Sequence, residues 1–195
     1  MTQSVNSARG LILLDRDGVL NRIVIDAEHG TIDSPLHPTQ VEIYPWVPPS
    51  LLRLNQAGFR LAIVTNQPAA AKKKTTFENL DATHREVVRL AQAEGAVIES
   101  SHLCLHRSED QCSCRKPKTG LLEQAIAQNS GFDRSQIWMV GDGVTDVQAG
   151  KALGLRTAFF GPKKCDACKI FEERSLEPDY WGPHLEGFTR FLLGG

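Results

Sequence analysis

Long apolar runs are missing from this 195-residue sequence, and none approaches the ~18 consecutive residues that a membrane-spanning helix needs. A surplus of either charge is missing too. The 22 basic and 23 acidic residues leave a formal net charge of -1, which argues against a nucleic-acid partner, because bulk polyanion binding needs a basic surplus. The runs Lys72-Lys73-Lys74 and Lys163-Lys164 read as solvated loop or helix-end charges. Residues 1–10 are polar and hold no apolar signal-peptide core, and no internal repeat or low-complexity tract is visible. Cysteine is scarce and unevenly placed, with five thiols, all between Cys104 and Cys168. Without a secretory signal, that clustering suggests metal binding in a reducing compartment, the cytoplasm, rather than a disulfide framework.

What is present suits one well-buried domain spanning residues 1–195, with 41% hydrophobic content. Short apolar runs at 11–14, 61–64, 97–105, 137–140 and 157–160 alternate with helix-like stretches at 48–57, 77–94, 121–129 and 144–153. In the second of these stretches, Phe77, Leu80, Val87, Val88 and Ala91 fall near a 3.6-residue repeat. Such alternation predicts an α/β fold, a doubly wound and mostly parallel sheet with helices on both faces. The proline-rich stretch 21–49 breaks the pattern, so a regular helix is not expected before Trp46. It reads either as a flap over a site, about residues 21–45, or as a surface insertion.

The first run ends in Asp15-Arg16-Asp17-Gly18-Val19. In an open parallel sheet, ligands bind at the carboxyl ends of strands. Carboxylates there contribute nothing to packing and are expensive to bury unless paired or metal-bound; a solvated turn is the plainer alternative. The second run ends in Thr65-Asn66-Gln67, whose hydrogen-bonding groups suit an anion such as phosphate, though Thr-Asn also makes ordinary turns. The fourth leads into Gly141-Asp142-Gly143-Val144-Thr145-Asp146. Asp15 and Asp142 can bridge adjacent strands around Mg²⁺, which takes one or two carboxylates plus phosphate and water. Asp142 and Asp146 can equally cap the following helix.

Cys104-Leu105-His106 and Cys112-Ser113-Cys114 place three thiols and an imidazole within eleven residues. Those ligand types match a closed Cys3His zinc site of a structural kind, in a loop over residues 104–114. His102 is the alternative imidazole, and unligated buried thiols are the alternative to a metal. Arg115-Lys116-Pro117-Lys118 follows at once, and a stapled loop would hold those cations rigid at a site edge. Cys165-Asp166-Ala167-Cys168 has no second ligand pair and reads as packing or surface thiols before a redox motif.

Taken together, Asp15-x-Asp17, Thr65-Asn66, Lys116 and Gly141-Asp142 with Asp146 resemble the haloacid dehalogenase superfamily of phosphohydrolases, over roughly residues 11–161. The Cys-x-His and Cys-x-Cys loop followed by Arg115-Lys116-Pro117 resembles the branch containing heptose-1,7-bisphosphate 7-phosphatases and histidinol-phosphate phosphatases. The resemblance implies a phosphomonoesterase acting on a small phosphorylated sugar or related metabolite. Asp15 would be the nucleophile and Asp17 the general acid and base. Mg²⁺ would be held by Asp15, Asp142 and the Asp17 backbone carbonyl. Thr65 and Asn66 would hold phosphoryl oxygens, Lys116 would neutralise Asp15 and the transferring group, and Arg115 would contact substrate. The longer segment 22–44, Pro68 to Lys72, and Gly143 depart from the heptose enzymes, so the resemblance carries phosphatase chemistry further than it carries the sugar. A histidinol-phosphate phosphatase and a non-catalytic zinc-stabilised binding protein stand as the alternatives. There is no room for a large cap domain.

Overall fold

The computed structural model describes residues 8–26, 30–162, 165–173 and 175–195. Lys163-Lys164 and the first seven residues lie outside that range, as do the side chains of Cys165 and Cys168. A six-stranded sheet forms the centre. Its strands are β1 (Gly10–Leu14), β4 (Phe59–Asn66), β5 (Ser100–Cys104), β6 (Ile137–Gly141), β7 (Arg156–Phe160) and β8 (Tyr180–Gly182). They lie in the order β5-β4-β1-β6-β7-β8 and every pairing is parallel. A separate antiparallel pair, β2 (Val24–Asp26) and β3 (Thr31–Asp33), completes the strands.

Strand and helix alternate because each crossover between parallel strands must bring the chain back to the end of the sheet where strands start, which a helix does compactly. The helices are α1 (Val47–Gln56), α2 (Phe77–Ala91), α3 (Gly120–Gln128), α4 (Val144–Ala152), α5 (Cys165–Glu173) and α6 (Leu185–Leu193). Successive side chains of a strand point to opposite faces, so the run Leu11 to Leu14 feeds two cores. Ile12 and Leu14 pack with Leu51 and Leu54 of α1, Val87 of α2 and Phe188 of α6. Leu11 and Leu13 pack on the other face with Leu121, Leu122 and Ala125 of α3 and Ala149 of α4. All four residues of the run are fully buried, each contributing about 1.5–3 kcal/mol.

The expected doubly wound sheet is therefore present, and the predicted runs lie within or across strands. The run 97–105 contains the shorter strand β5, because Val97 is exposed and its N–H is taken by the Asn55 side chain. Beyond residue 162, α5, β8 and α6 have no counterpart in the sequence reading. The proline-rich stretch holds the β2–β3 hairpin and a short 3₁₀ helix, Pro38–Gln40, where a regular helix was not expected. Ile25 and Ile32 pair across the hairpin and are both exposed. Among the described residues no helix is long and apolar enough to cross a membrane.

Winding starts at β1, moves out through β4 to β5, then returns to the other side of β1 for β6, β7 and β8. The reversal leaves a crevice at the carboxyl ends of β4, β1 and β6, where the topology places ligands in open α/β sheets.

Candidate active site and metal centre

Three strand ends deliver the acidic groups and their neighbours to that crevice. Asp15 directly follows β1 and keeps the ladder, its N–H donating to the Val140 carbonyl at 2.8 Å. The chain then turns, with Leu20 N–H donating to the Arg16 carbonyl and Gly18 at φ 79°. Glycine is required here twice over. Its conformation is left-handed, and a Cβ would fall 1.9 Å from an Asp142 carboxylate oxygen. Gly141 is similarly constrained, since its Cβ would lie 2.2 Å from an Asp146 oxygen. Both glycines let backbone and carboxylate come together.

Asp15, Asp142 and Asp146 each offer an oxygen, and these oxygens lie within 4.8 Å of one another. Lys116 reaches the same point from the loop after β5. Its ammonium sits 3.1 Å from Asp15 Oδ1 and 2.6 Å from Asp146 Oδ1, and it donates to the Val64 carbonyl at 2.8 Å. Lys116 and Asp146 are both buried. Burial works against the ammonium, but Asp146 and Asp15 outweigh it and hold Lys116 charged. Burial also pushes Asp142 up to about 7, reinforced by the negative charges of Asp15 and Asp146 and opposed by Lys116. Asp146 is raised as well, by burial first, with Lys116 pulling the other way. Three crowded carboxylates against one ammonium, with Asp146 buried, Asp15 half-buried and Asp142 at the open mouth, leave excess negative charge that a divalent cation with oxygen ligands would neutralise. The donor set fits Mg²⁺.

Thr65 is buried at the end of β4, and its hydroxyl oxygen accepts from Gln67 Nε2 at 3.0 Å. The Asn66 side chain is turned to the Lys116 backbone, donating to its carbonyl and accepting its N–H, both at 3.1 Å. Asn66 thus ties the end of β4 to the lysine loop. Asp17 lies apart from the three-carboxylate group, bonded instead to Arg16, Asn21 and Gln67. Arg115 donates to the His106 carbonyl at 3.4 Å and, among the described residues, has no ion pair. It lines a cavity of about 300 Å³ together with Arg107, Lys116, Lys118 and Thr145.

Asp146 is the site residue that the sequence reading left between two roles, and the structure gives it both. One carboxylate oxygen accepts the Gly143 N–H at 3.0 Å at the start of α4, and the other meets Lys116. Arg16 was given no role, and Gln67 was read only as part of the Thr65-Asn66-Gln67 strand end, with no link to Asp17. Their signal was adjacency to the Asp15-x-Asp17 and Thr65-Asn66 motifs.

At the outer end of the lysine loop, Cys104, His106, Cys112 and Cys114 form a second cluster. Cys104 Sγ lies 3.7 Å from both Cys112 Sγ and His106 Nδ1, and Cys114 Sγ lies 3.2–3.5 Å from the other three atoms. Sulfurs at about 2.3 Å from a tetrahedral zinc stand about 3.8 Å apart, so these separations are slightly contracted edges of such a tetrahedron. Burial, and then its bond with Cys114, push the Cys104 thiol up to about 12, so it becomes a ligand only when a cation displaces its proton. His102 is outside the cluster, bonded to Ser100.

A family profile described as haloacid dehalogenase-like hydrolase matches residues 35–154. The chain belongs to this family. The chain is 36% identical over 151 residues to D-glycero-beta-D-manno-heptose-1,7-bisphosphate 7-phosphatase of Pseudomonas aeruginosa, covering 75% of this chain and 78% of that one. The histidine biosynthesis bifunctional protein HisB of Legionella pneumophila is 31% identical over 145 residues, 74% of this chain but 39% of its own length. Among solved structures, D,D-heptose 1,7-bisphosphate phosphatase from B. bronchiseptica, complexed with magnesium and phosphate, superposes with a TM-score of 0.77 at 26% identity. That match covers 95% of this chain and 98% of the other. This haloacid dehalogenase-like phosphatase thus shares near full-length architecture with an enzyme crystallised with both ions.

Proposed function

We propose that the protein is a Mg²⁺-dependent phosphomonoesterase that removes the 7-phosphate of D-glycero-D-manno-heptose 1,7-bisphosphate or a closely similar phosphosugar. The observation that carries this reading is the buried Lys116 bridging Asp15 and Asp146, with Asp142 beside them. A carboxylate attacking a phosphate dianion meets like-charge repulsion, and the ammonium lowers it at the attacking atom. Mg²⁺, held by Asp15, Asp142 and the Asp17 backbone carbonyl, would supply further charge neutralisation at the phosphoryl oxygens.

Asp15 attacks phosphorus and forms an aspartyl-phosphate while Asp17 gives its proton to the departing alkoxide. Asp17 then takes a proton from water, whose oxygen attacks phosphorus, and the bond to Asp15 breaks. Thr65 donates to a phosphoryl oxygen, and Asn66 contributes there through its hold on the Lys116 backbone as well as by direct contact. Arg115 binds the distal end of the substrate. Its guanidinium, outside any ion pair among the described residues and in a cavity bordered by Arg107 and Lys118, favours a substrate with a second anionic group, as a bisphosphate has. Cys104, His106, Cys112 and Cys114 would hold a zinc ion that would fix that cationic loop. Residues 1–195 act as one catalytic unit, with the segment at about 21–45 as the flap beside the pocket.

A phosphate-release screen with and without Mg²⁺ tests this reading. Heptose 1,7-bisphosphate should be hydrolysed faster than other sugar phosphates and histidinol phosphate, and only with Mg²⁺. Equal rates on all of them would refute a dedicated heptose enzyme, and preference for histidinol phosphate would transfer the assignment to that alternative.

A further inference from the structure

Among the described residues Arg16 is the largest wholly buried side chain, and the one carboxylate that its guanidinium meets is Asp17. Its Nε donates to Asp17 Oδ1 and its Nη2 to Asp17 Oδ2, each at 3.1 Å, a two-pronged hold on one carboxylate. Asn21 Nδ2 donates to Oδ1 at 2.9 Å and Gln67 Nε2 to Oδ2 at 2.6 Å. A carboxylate offers about four lone-pair directions, so both oxygens of Asp17 are fully engaged in its ionised form, the form left once its proton has gone to the leaving group.

Gln67 connects this carboxylate to the phosphoryl end of the site. Its Oε1 accepts from Arg16 Nη2 at 2.8 Å, while Nε2 donates both to Asp17 and to the Thr65 hydroxyl oxygen. The amide can stand only one way round, since reversal would set its oxygen against a carboxylate and its NH₂ against the guanidinium. With its oxygen accepting from Gln67, the Thr65 hydroxyl hydrogen is left to point elsewhere. Gln67 is itself buried. Folding alone does not explain the arrangement, because burying an arginine costs several kcal/mol that an apolar side chain of similar volume avoids.

We infer that Arg16 and Gln67 are positioning residues, which together set the Asp17 carboxylate for its work as base and aim the Thr65 hydroxyl at the phosphoryl group. The inference rests on the reading of Asp17 as acid and base. In the second step a water O–H replaces one neutral donor on Asp17, and Arg16 keeps the carboxylate oriented while the proton moves to it. The water oxygen bonds to phosphorus, the bond from phosphorus to Asp15 breaks, and inorganic phosphate leaves.

p-Nitrophenyl phosphate isolates this step, because nitrophenolate departs without a proton and only the second step needs the base. Arg16→Met, Arg16→Lys and Gln67→Leu should each give a nitrophenolate burst, followed by turnover slowed at least about tenfold, short of the about 10²–10⁴-fold that losing the base itself would cost. Arg16→Lys should recover part of the rate, and the burst amplitude counts correctly folded sites. Turnover that falls only in proportion to burst amplitude would mean a purely structural role and would overturn the inference. Asp17→Asn is the reference. If it is slow after its burst while the Arg16 and Gln67 variants are unaffected, the inference fails and the role of Asp17 stands. If Asp17→Asn turns over normally, both fail.

Discussion

His84 shows how the site's charges reach into the core. It lies on α2, buried, with Nδ1 lacking a hydrogen-bond partner among the described residues. Burial, helped by the positive charge of Arg16, lowers its pKa from the ordinary 6.5 to about 4. Between those values the unfolded chain binds more protons than the folded one, so stability rises with pH across that window. The contribution is complete above about pH 6.5 and is lost as pH falls to about 4; for a shift of this size it is at most on the order of 3 kcal/mol. Urea titrations at pH 4.5 and 7 should give a smaller pH dependence for His84→Leu than for the natural sequence. An unchanged dependence would place the acid sensitivity elsewhere. At this scale the legible residues were those whose chemistry conflicts with packing: carboxylates at strand ends and thiols at ligand spacing. Arg16 and Gln67 were not legible, because polar residues flanking a turn look alike whether solvated or buried. Only tertiary contact between β1 and the end of β4 tells them apart.

Among the elements, the lysine loop links the two clusters. It leaves β5 at Cys104, passes through the cysteine and histidine group, and returns Lys116 to Asp15 and Asp146. Asn66 fastens its inner end through the Lys116 backbone. Metal on the outer cluster should therefore act on catalysis by holding the loop, without touching the reacting atoms. Cys112→Ser should lose zinc by metal analysis, keep its far-ultraviolet circular dichroism, and lower kcat/KM by about 10–100-fold, the range seen when metal sites are perturbed. Full activity in a zinc-free variant would separate the two clusters. The loop was legible because its ligand spacing is local. The β2–β3 hairpin was not, since three-residue strands are too short to show alternation and Pro35 and Pro38 follow closely after β3.

Across the whole molecule, the chain's last helix closes one face of the sheet. Phe188 of α6 is fully buried and meets Trp138, Phe160 and Tyr180 edge-on, with centroids 5.1–6.0 Å away. Phe188→Ala should destabilise the protein by about 3–5 kcal/mol, measured by denaturant unfolding. A loss below about 1 kcal/mol would mean that α6 is a loosely attached end. Helix α6 escaped the sequence reading because β6 and β7, which supply Trp138 and Phe160 against it, are distant in the chain. The alternation of strands and helices was readable because buried parallel strands leave continuous apolar runs. That same winding brings Asp15, Thr65 and Asp142 to one crevice, and the account stands on Asp15 as the attacking group. Acid-quenched turnover followed by borohydride reduction and peptide mass spectrometry tests it directly, because an aspartyl-phosphate is reduced to homoserine. Homoserine should appear at position 15, dependent on Mg²⁺ and substrate. Homoserine at another aspartate, or an Asp15→Asn variant that still releases phosphate at the natural rate, would contradict it.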